Sequence, residues 1–513
     1  MCPDIPVFSL TQTQAPSVVV WVDESGIAHA RDTRTGSIIA ESADHASVLQ
    51  AACDALKLTG GTVLIKSGVY QLSRTVNCYA GTHIRGEGIA YYKGVSTTLL
   101  GPDGSDVINV NPTPAANTGF SIADIGIRPG ANGKGVVVTD VWYPTVERVF
   151  IRPKDPNSGC ATGIEIAASQ AHSYQTVIRD CEIADFASYG VKFTGSPGKL
   201  GAALLEHNWF TTKFNATMVY AVDEISITNN YFEYASPAGG TAIRLDGVNY
   251  YKVIGNIFAG QYTTDSKSIH ASGGGGLGAI VGNVFVQSAG TAVYIQWAPG
   301  YGNQHHAVVG NVFLLNGGNG VYAETMGVNI VGNVFRIGAT INRAITLTGD
   351  QCAVGNVIEG FAETVRNGTG IYIPRTPRRN IKISNNVIKY IQYGVYVDAD
   401  SLVNSELVGN TFVNCTTPVY GGGKFNLVRD NIGVDPQPVS TVGIPANATT
   451  TIGPFNYPVQ VILSAPQNAT SVSLTRGGIQ TPLPIQSSYL LYPGDTLSVA
   501  EGAMEQTAYI VPL

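Results

Sequence analysis

The sequence predicts an all-β fold, a right-handed parallel β-helix in which each turn of the chain stacks on the one before. Three observations support this prediction: a repeated segment with an asparagine in register, alternation of apolar and polar residues around it, and a second alternating run in each repeat. A repeat of this length can bury its apolar side only against the next copy, which is the definition of a solenoid.

The repeated segment is typified by IVGNVF at 280–285, and its asparagines lie 21 to 30 residues apart. These are Asn208, Asn230, Asn256, Asn283, Asn311, Asn333, Asn356, Asn386, Asn410 and Asn431. We expect them to stack at one bend and to satisfy backbone groups of the turn through side-chain hydrogen bonds.

Each repeat is predicted to contain several short strands. Apolar residues alternate around the asparagine, Val, Ile, Phe and Tyr are frequent, and a second run follows, as in AVYIQ at 292–296 and GVYVD at 394–398. A leucine-rich repeat would need a leucine skeleton that is absent here. A β-propeller would need longer repeats of four strands.

Composition limits the function classes. Charged residues make up only 13% of the 513 residues, the formal net charge is -6 and the pI is near 5.8, so nucleic acid is not an expected partner. No apolar run of eighteen residues and no charged-then-apolar leader is evident, so we expect neither a membrane span nor a secretory signal. The seven cysteines lack metal-ligand spacing. They are expected to be buried thiols, with one or two disulfides as the alternative, and no metal or cofactor is predicted.

Three domains are expected. Residues 1–43 are expected to form a β lead-in or attachment segment, because residues 17–42 alternate apolar and polar side chains. Residues 44–433 form the β-helix, whose open first coil is covered by an amphipathic helix at 44–56. Beyond 433 the asparagine repeat stops, and 434–513 predict a small β-sandwich-like module that acts as a cap or trimerises the stem.

The segment after the helix carries a resemblance. GGTVLIKSGVY at 60–70 followed by IRGEG at 84–88 resembles the opening of the pectate-lyase-like right-handed parallel β-helix superfamily, in particular its tailspike branch from phages and other viruses. The resemblance extends over roughly 44–430 and implies the fold. It leaves the reaction open, because the superfamily holds hydrolases, lyases and proteins without catalysis. YPGDTLSV at 492–499 resembles the modules that follow β-helices in prophage glycan hydrolases.

Residues two before and one after each ladder asparagine are expected to point outward. From the coil of Asn256 to that of Asn356 all ten are aliphatic: Ile254, Val281, Val309, Val331, Val354, Ile257, Val284, Val312, Val334 and Val357. We name these ten residues the apolar face. A patch of this size predicts a subunit interface, most simply that of a parallel homotrimer. The alternatives are a covering loop or an opposite strand orientation.

Toward the N-terminus the same positions become polar and aromatic. Carboxylates one or two coils apart fall roughly 5–10 Å from each other, the range of a glycosidase pair. We predict the acid to be Glu206 or Glu233 and the base or nucleophile to be Asp180 or Glu182. The predicted sugar contacts of this site are Arg179, His207, Trp209 and Tyr231. The alternative for Arg179 is a surface ion pair with Glu206, which contributes little to stability.

A second outward line is expected along the other strand of each repeat. It comprises Glu165, Lys192, Tyr220, Arg244, His270, Tyr294, Tyr322, Thr346, Tyr372, Tyr396 and Tyr420. Tyr294, Tyr322, Tyr372 and Tyr396 are predicted to contact an extended glycan, with carboxylates and amides beside them. The alternative is β-propensity alone, since tyrosine is common on exposed strands. His305 and His306 are expected in a turn.

Together these features predict a homotrimeric, tailspike-like protein of the virion surface or the extracellular space that binds and hydrolyses a polysaccharide, with possible virion attachment through its N-terminal segment. A non-catalytic glycan-binding adhesin or a structural surface protein is the alternative from another class. A polysaccharide lyase is less favoured, because it needs a basic residue as base beside a charge-neutralising cation, and basic residues are sparse.

Overall fold

The computed structural model describes residues 15–512 apart from 90–95, 113–117, 157–158, 197, 213–214, 221, 236–239, 262, 264, 274–275, 288, 298–304, 316, 339–342, 362–366, 376–377, 399–401, 422–424, 434–439, 456–458 and 504–505. The predicted right-handed parallel β-helix is confirmed. The chain divides into two compact units, Met1–Tyr251 and Lys252–Leu513. The domain boundaries expected at 43 and 433 stay predictions, and residues 1–14 of the lead-in lie outside the described residues.

The first unit begins with three antiparallel strands, Val18–Val22, Ala28–Asp32 and Ile38–Ser42. The first of them also pairs in parallel with Gly61–Ile65, so the lead-in continues directly into the stacked coils. Between them lies the helix His45–Ala55, which packs on Ile38–Ser42 and Val76–Tyr79. Its predicted apolar face is confirmed as buried, because it covers the apolar side chains that the first coil would otherwise expose.

Three stacks of parallel strands make up the coils, and we name them by their position relative to the asparagine bend. The first ladder contains the strands before the bend, the second ladder those after it, and the third ladder the strand that completes the coil. In the first unit the first ladder consists of Gly61–Ile65, Thr82–Gly86, Thr118–Arg128, Trp142–Ile151, Val177–Arg179, Ala203–Glu206 and Glu224–Thr228. The second ladder consists of Gly68–Gln71, Thr97–Leu100, Glu182–Ala184, Trp209–Thr212 and Tyr231–Ala235, together with the far ends of the two long strands Thr118–Arg128 and Trp142–Ile151.

The third ladder of the first unit consists of Val76–Tyr79, Ile108–Asn111, Lys134–Thr139, Thr162–Ala168, Tyr189–Gly195, Asn215–Tyr220 and Thr241–Asp246. A short parallel pair, Ser173–Tyr174 with Leu200–Gly201, lies outside the ladders. Strand Tyr250–Ile254 contains the division between the units.

The second unit repeats the arrangement. Its first ladder consists of Leu277–Val281, His305–Val309, Val328–Val331, Cys352–Val354, Lys382–Ser384, Glu406–Val408 and Leu427–Arg429. Its second ladder consists of Ile257–Gln261, Val284–Gln287, Val312–Leu315, Val334–Ile337, Val357–Gly360, Val387–Lys389 and Thr411–Val413. Its third ladder consists of Lys267–Ser272, Thr291–Gln296, Asn319–Ala323, Arg343–Leu347, Thr369–Ile373, Tyr393–Val397 and Thr417–Gly421. Arg378–Arg379 pairs with Leu402–Val403 outside the ladders.

The end of the second unit contains two antiparallel sheets. One sheet contains Ser440–Ile444, Gln506–Pro512, Val459–Leu463 and Ser488–Leu491. The other contains Thr449–Ile452, Thr496–Glu501, Ala469–Arg476 and Ile479–Leu483, and a 3-10 turn spans Pro466–Asn468. Side chains from both sheets share one buried core, which gives the module its sandwich-like character.

The predicted asparagine ladder is confirmed in both units. In the second unit the Asn256 amide donates to Oδ1 of Asn283 at 2.9 Å, and the Asn283 amide donates to Oδ1 of Asn311 at 2.9 Å. The side-chain amides of Asn283, Asn311 and Asn333 in turn donate to a backbone carbonyl of the preceding coil, as Asn283 Nδ2 does to Val253 O at 2.8 Å. These side chains are fully buried. They therefore supply hydrogen-bond partners to backbone groups that water cannot reach. In the first unit Asn208 donates to Asn230 in the same way.

The inside of the coils is packed by repeated large side chains. In the second unit four phenylalanines form a stack with ring centroids 4.8, 4.7 and 4.4 Å apart, namely Phe258, Phe285, Phe313 and Phe335. All four are fully buried. Since strand side chains alternate, the neighbouring positions of each strand must face out, which fixes the orientation of the outward columns.

Candidate functional site

The predicted catalytic and sugar-binding residues of the first unit lie on neighbouring strands around the bend. We call this group the bend cluster, and it consists of Arg179, Asp180, Glu182, Glu206, His207, Trp209, Tyr231 and Glu233. On the first ladder Arg179 lies opposite Glu206. On the second ladder Trp209 lies between Glu182 and Tyr231. The coil register therefore gathers residues more than fifty positions apart into one patch.

The bend itself presents two polar side chains of this cluster. Asp180 and His207 both adopt the left-handed backbone conformation, with φ of 54° and 53°. Aspartate tolerates this conformation better than most residues, because its short side chain can bond the local backbone. The Asp180 Oδ1 and His207 Nδ1 atoms are 3.9 Å apart, and both side chains are about half exposed. They are thus within reach of a ligand that approaches the bend.

Trp209 and Tyr231 form an exposed aromatic pair. Their side chains are 45% and 37% exposed, their ring centroids are 6.0 Å apart, and the rings are nearly perpendicular at 88°. An edge-to-face pair is a favourable aromatic geometry and leaves a ring face uncovered. This geometry can offer an apolar surface to a flat, hydroxyl-rich ring while the neighbouring carboxylates accept its hydrogen bonds.

Three carboxylates accompany the aromatic pair. Glu182 and Glu206 are half-buried, and Glu233 is exposed. Glu182 and Glu233 each belong to a coil adjacent to that of Glu206, so each is offset from Glu206 by about 4.8 Å along the axis. The width of the bend between the first and second ladders adds to this separation. Carboxylate separations of about 5 to 9.5 Å serve glycosidic bond cleavage. The arrangement is compatible with such a pair.

Arg179 does not form the ion pair that the sequence suggested. Its Nε and Nη2 atoms bind Oε2 of Glu147 at 3.0 and 2.7 Å, on the side of the ladder away from Glu206. Glu147 also binds Arg148, and Arg148 binds Asp124 through Nε and Nη2 at 2.7 and 3.1 Å. The guanidinium of Arg179 is therefore fixed by a charge network next to the bend cluster. The sequence did not point to this network because its coils lack the asparagine.

The outward line of the third ladder is confirmed in the second unit. His270, Tyr294, Tyr322, Thr346, Tyr372, Tyr396 and Tyr420 lie opposite one another in that order. We call its tyrosines the tyrosine ladder. Ring centroids of successive members are 4.9 to 5.4 Å apart wherever two aromatic rings adjoin. The column is an aromatic row that Thr346 divides in two.

Tyr372 offers less surface than the sequence suggested. Its side chain is only 8% exposed, because the Arg343 guanidinium covers its ring at 3.6 Å from the centroid. Its hydroxyl donates to Oδ2 of Asp398 at 3.1 Å. Tyr294, Tyr322 and Tyr396 are half-buried and keep an accessible edge.

Two further expectations are corrected. Tyr220 is not in the outward line of the first unit, since it lies opposite Asp246, and Met218 takes its place opposite Lys192 and Arg244. The chain between these coils is two residues shorter than assumed. The Tyr220 side chain therefore still faces outward but lies two positions further along its strand. His305 and His306 are not in a turn but begin the first-ladder strand His305–Val309, with His306 buried.

The outward orientation of the apolar face is confirmed. None of its ten side chains is fully buried, and Ile257 and Val334 are more than 40% exposed. Within the described part of the chain no group of three or more His, Cys, Asp or Glu side chains is arranged to hold a metal ion. Nor does any helix there combine the length and hydropathy of a membrane span.

Comparison with known proteins agrees with the coil architecture. Residues 162–335 match the family model described as a right handed beta helix region. The match supports the right-handed parallel β-helix fold of the stacked coils. No curated protein sequence matches this β-helix.

Solved structures similar to this β-helix include the A-module of mannuronan C-5 epimerase AlgE6 from Azotobacter vinelandii, with 15% identity, a TM-score of 0.38, and coverage of 77% of this chain and 96% of that one. Tailspike protein gp49 of Acinetobacter baumannii bacteriophage Fri1, a capsular polysaccharide depolymerase, has 11% identity, a TM-score of 0.37 and coverage of 91% and 82%. The tailspike of E. coli bacteriophage HK620 in complex with pentasaccharide has 13% identity, a TM-score of 0.39 and coverage of 91% and 90%.

Proposed function

We propose that this β-helix binds an extended cell-surface or extracellular polysaccharide and hydrolyses it at the bend cluster. The observation that carries the proposal is the exposed pair Trp209 and Tyr231, held on rigid parallel strands with outward carboxylates on the adjoining coils. Sugar rings combine an apolar face with a rim of hydroxyls. A site that pairs aromatic faces with hydrogen-bond acceptors matches both features.

The proposed reaction divides the carboxylates into two roles. Glu206 or Glu233, in its protonated form, donates a proton to the glycosidic oxygen as the bond to the anomeric carbon breaks. Asp180 or Glu182, in its ionised form, either attacks that carbon or removes a proton from the water that attacks it. Arg179, fixed by Glu147, and His207 at the bend supply hydrogen-bond donors to the sugar hydroxyls. Water adds across the bond, and the acid and base return to their starting forms.

The test is depolymerisation of purified capsular and cell-wall polysaccharides, followed by sizing of the products and counting of new reducing ends. We expect Glu206→Gln to lower the rate by at least about 100-fold, the contribution of a general acid. Glu406→Gln is the matched control, because Glu406 is a half-buried carboxylate on the first ladder of the other unit. Cleavage at the full rate by both Glu206→Gln and Glu233→Gln would remove the site assignment. Products with an unsaturated, ultraviolet-absorbing end would show β-elimination instead.

Non-catalytic glycan binding is the second candidate, and the tyrosine ladder favours it. Its rings are locked by packing and by hydrogen bonds such as that from Tyr372 to Asp398. A rigid row of aromatic side chains can hold a glycan without performing any chemistry. Retention of a polysaccharide that is never shortened would select this function over hydrolysis.

The apolar face of the second unit supports a further part of the proposal, a parallel homotrimer. Its ten aliphatic side chains extend over five coils, roughly 19 Å along the axis at about 4.8 Å per step. Apolar patches of this kind are rarely left in water by a soluble protein. Further copies of the chain would cover it most simply. We place such an assembly outside the cell or on a virion surface, attached through the N-terminal lead-in.

A further inference from the structure

The second unit contains an open pocket of about 510 Å³ that no predicted site residue occupies. It lies at the turns that lead from the third ladder to the first ladder, and five successive coils contribute to it. The described residues that line it include Trp297, Glu324, Met326, Asp350, Arg379 and Val403. The volume falls within the range of about 300–1,000 Å³ that small-molecule sites occupy. The pocket is thus large enough for a sugar unit with part of its neighbours.

One wall of this pocket is apolar and exposed. Trp297, Val403 and Met326 are 53%, 51% and 39% exposed, although each has a large apolar side chain. Single exposed apolar residues are ordinary on a protein surface, whereas these three are gathered around one concavity, where they can pack against the same ligand. Trp297 offers an aromatic ring face, and a methionine beside it adapts to the shape of what binds.

The pocket is also lined by two carboxylates, Glu324 and Asp350. Burial and the neighbouring Glu324 raise the pKa of Tyr294, a member of the tyrosine ladder. Asp350 is held by Nε of Arg379 at 3.4 Å and by the side-chain amide of Asn380. Because Asp350 is already fixed in place, little conformational entropy is lost when a ligand binds to it.

We propose that this pocket binds a neutral pyranose unit of a polysaccharide. The ring packs on Trp297, its hydroxyls donate to Glu324 and Asp350, and Arg379 donates to a ring or hydroxyl oxygen. Carboxylates outnumber the cation by two to one, so an acidic sugar such as a uronic acid would be repelled. The inference rests on the proposed glycan-binding function and adds to it a second contact point with its own sugar class.

The experiment measures binding of the whole chain to an array printed with bacterial oligosaccharides, half of them neutral and half containing uronic acids. We expect wild-type protein to bind neutral members. We expect Trp297→Ala to weaken this binding at least tenfold. Met326→Arg, which fills the pocket from an exposed position, should do the same without disturbing the core. Tyr250→Ala is the matched control, because Tyr250 is equally exposed at 54% and lies outside both sites. Circular dichroism and the melting temperature establish that each variant is folded.

The outcomes separate the two proposals. If Trp297→Ala and Met326→Arg bind as the wild type does while Trp209→Ala loses binding, the pocket inference fails and the proposed function stands. If binding by the wild type is confined to uronic-acid glycans, the assignment to neutral sugars is overturned. If the wild-type chain binds no oligosaccharide, both proposals fail together.

Discussion

The buried asparagine ladder makes a quantitative prediction about stability. Asn311 accepts a hydrogen bond from the backbone N–H of Asn283 and donates one to the carbonyl of Ile280, both at 2.9 Å. In Asn311→Ala both of these backbone groups lose their partner. Each buried backbone group left without a partner costs about 1–3 kcal/mol. We therefore expect Asn311→Ala to lower the free energy of unfolding by about 2–6 kcal/mol.

The matched control is Asn431→Ala at the last position of the ladder. Asn431 makes equivalent bonds to Asn410 and to Leu407 but is partly exposed, so water can replace its side chain. We expect a loss of about 1 kcal/mol there, the net value of ordinary hydrogen bonds. Urea unfolding followed by tryptophan fluorescence gives both values, and hydrogen exchange at the Asn283 amide should accelerate only in Asn311→Ala. Equal losses in the two variants would refute the reasoning that burial sets the cost.

Three further predictions address other parts of the chain. Burial lowers the pKa of His306 to about 4 from its ordinary 6.5. The folded state then binds fewer protons than the unfolded state, so the free energy of unfolding falls as the pH drops from about 6.5 to about 4. Urea midpoints measured across that range should fall by the equivalent of up to about 3 kcal/mol, and a fall of the same size in His306→Asn would contradict the assignment. The Sγ atoms of Cys53 and Cys78 are buried and lie 3.3 Å apart. Thiol–disulfide exchange with oxidised glutathione should therefore remove two titratable thiols and raise the free energy of unfolding by about 2–4 kcal/mol. Cys53→Ser should show neither change. Val334→Asp should reduce the mass measured by light scattering from that of a trimer to that of a monomer, and a monomeric wild type would exclude the homotrimer.

The sequence predicted those features of the fold that depend on periodicity. Each ladder asparagine fixes the position of its coil, and alternation along a strand fixes which neighbours face in. That is why the buried position of Ile280 and the outward position of Val281 could both be assigned before any coordinates. The tyrosine ladder was predictable for the same reason, since its members keep a constant offset within their repeats.

What could not be predicted depends on variable turns and on coils without the repeat. The shift from Tyr220 to Met218 arises where the turn length changes by two residues, which alternation cannot detect. The partner of Arg179 is Glu147, whose coil has no asparagine to set its register. The pocket around Trp297 is built from residues up to 106 positions apart, from Trp297 to Val403, in the connections between the third and first ladders. These residues share no sequence pattern.

The left-handed residue at each bend also makes this scaffold adaptable. In the second unit Gly282, Gly310 and Gly332 occupy that position with φ of 63–64°, and a side chain added to any of them would meet no atom within 4 Å. Asparagine and aspartate can adopt the same φ, as Asn229 and Asp180 do in the first unit. New functional groups could therefore be grafted onto this row one coil at a time, at regular intervals, for about the cost of a single strained residue each.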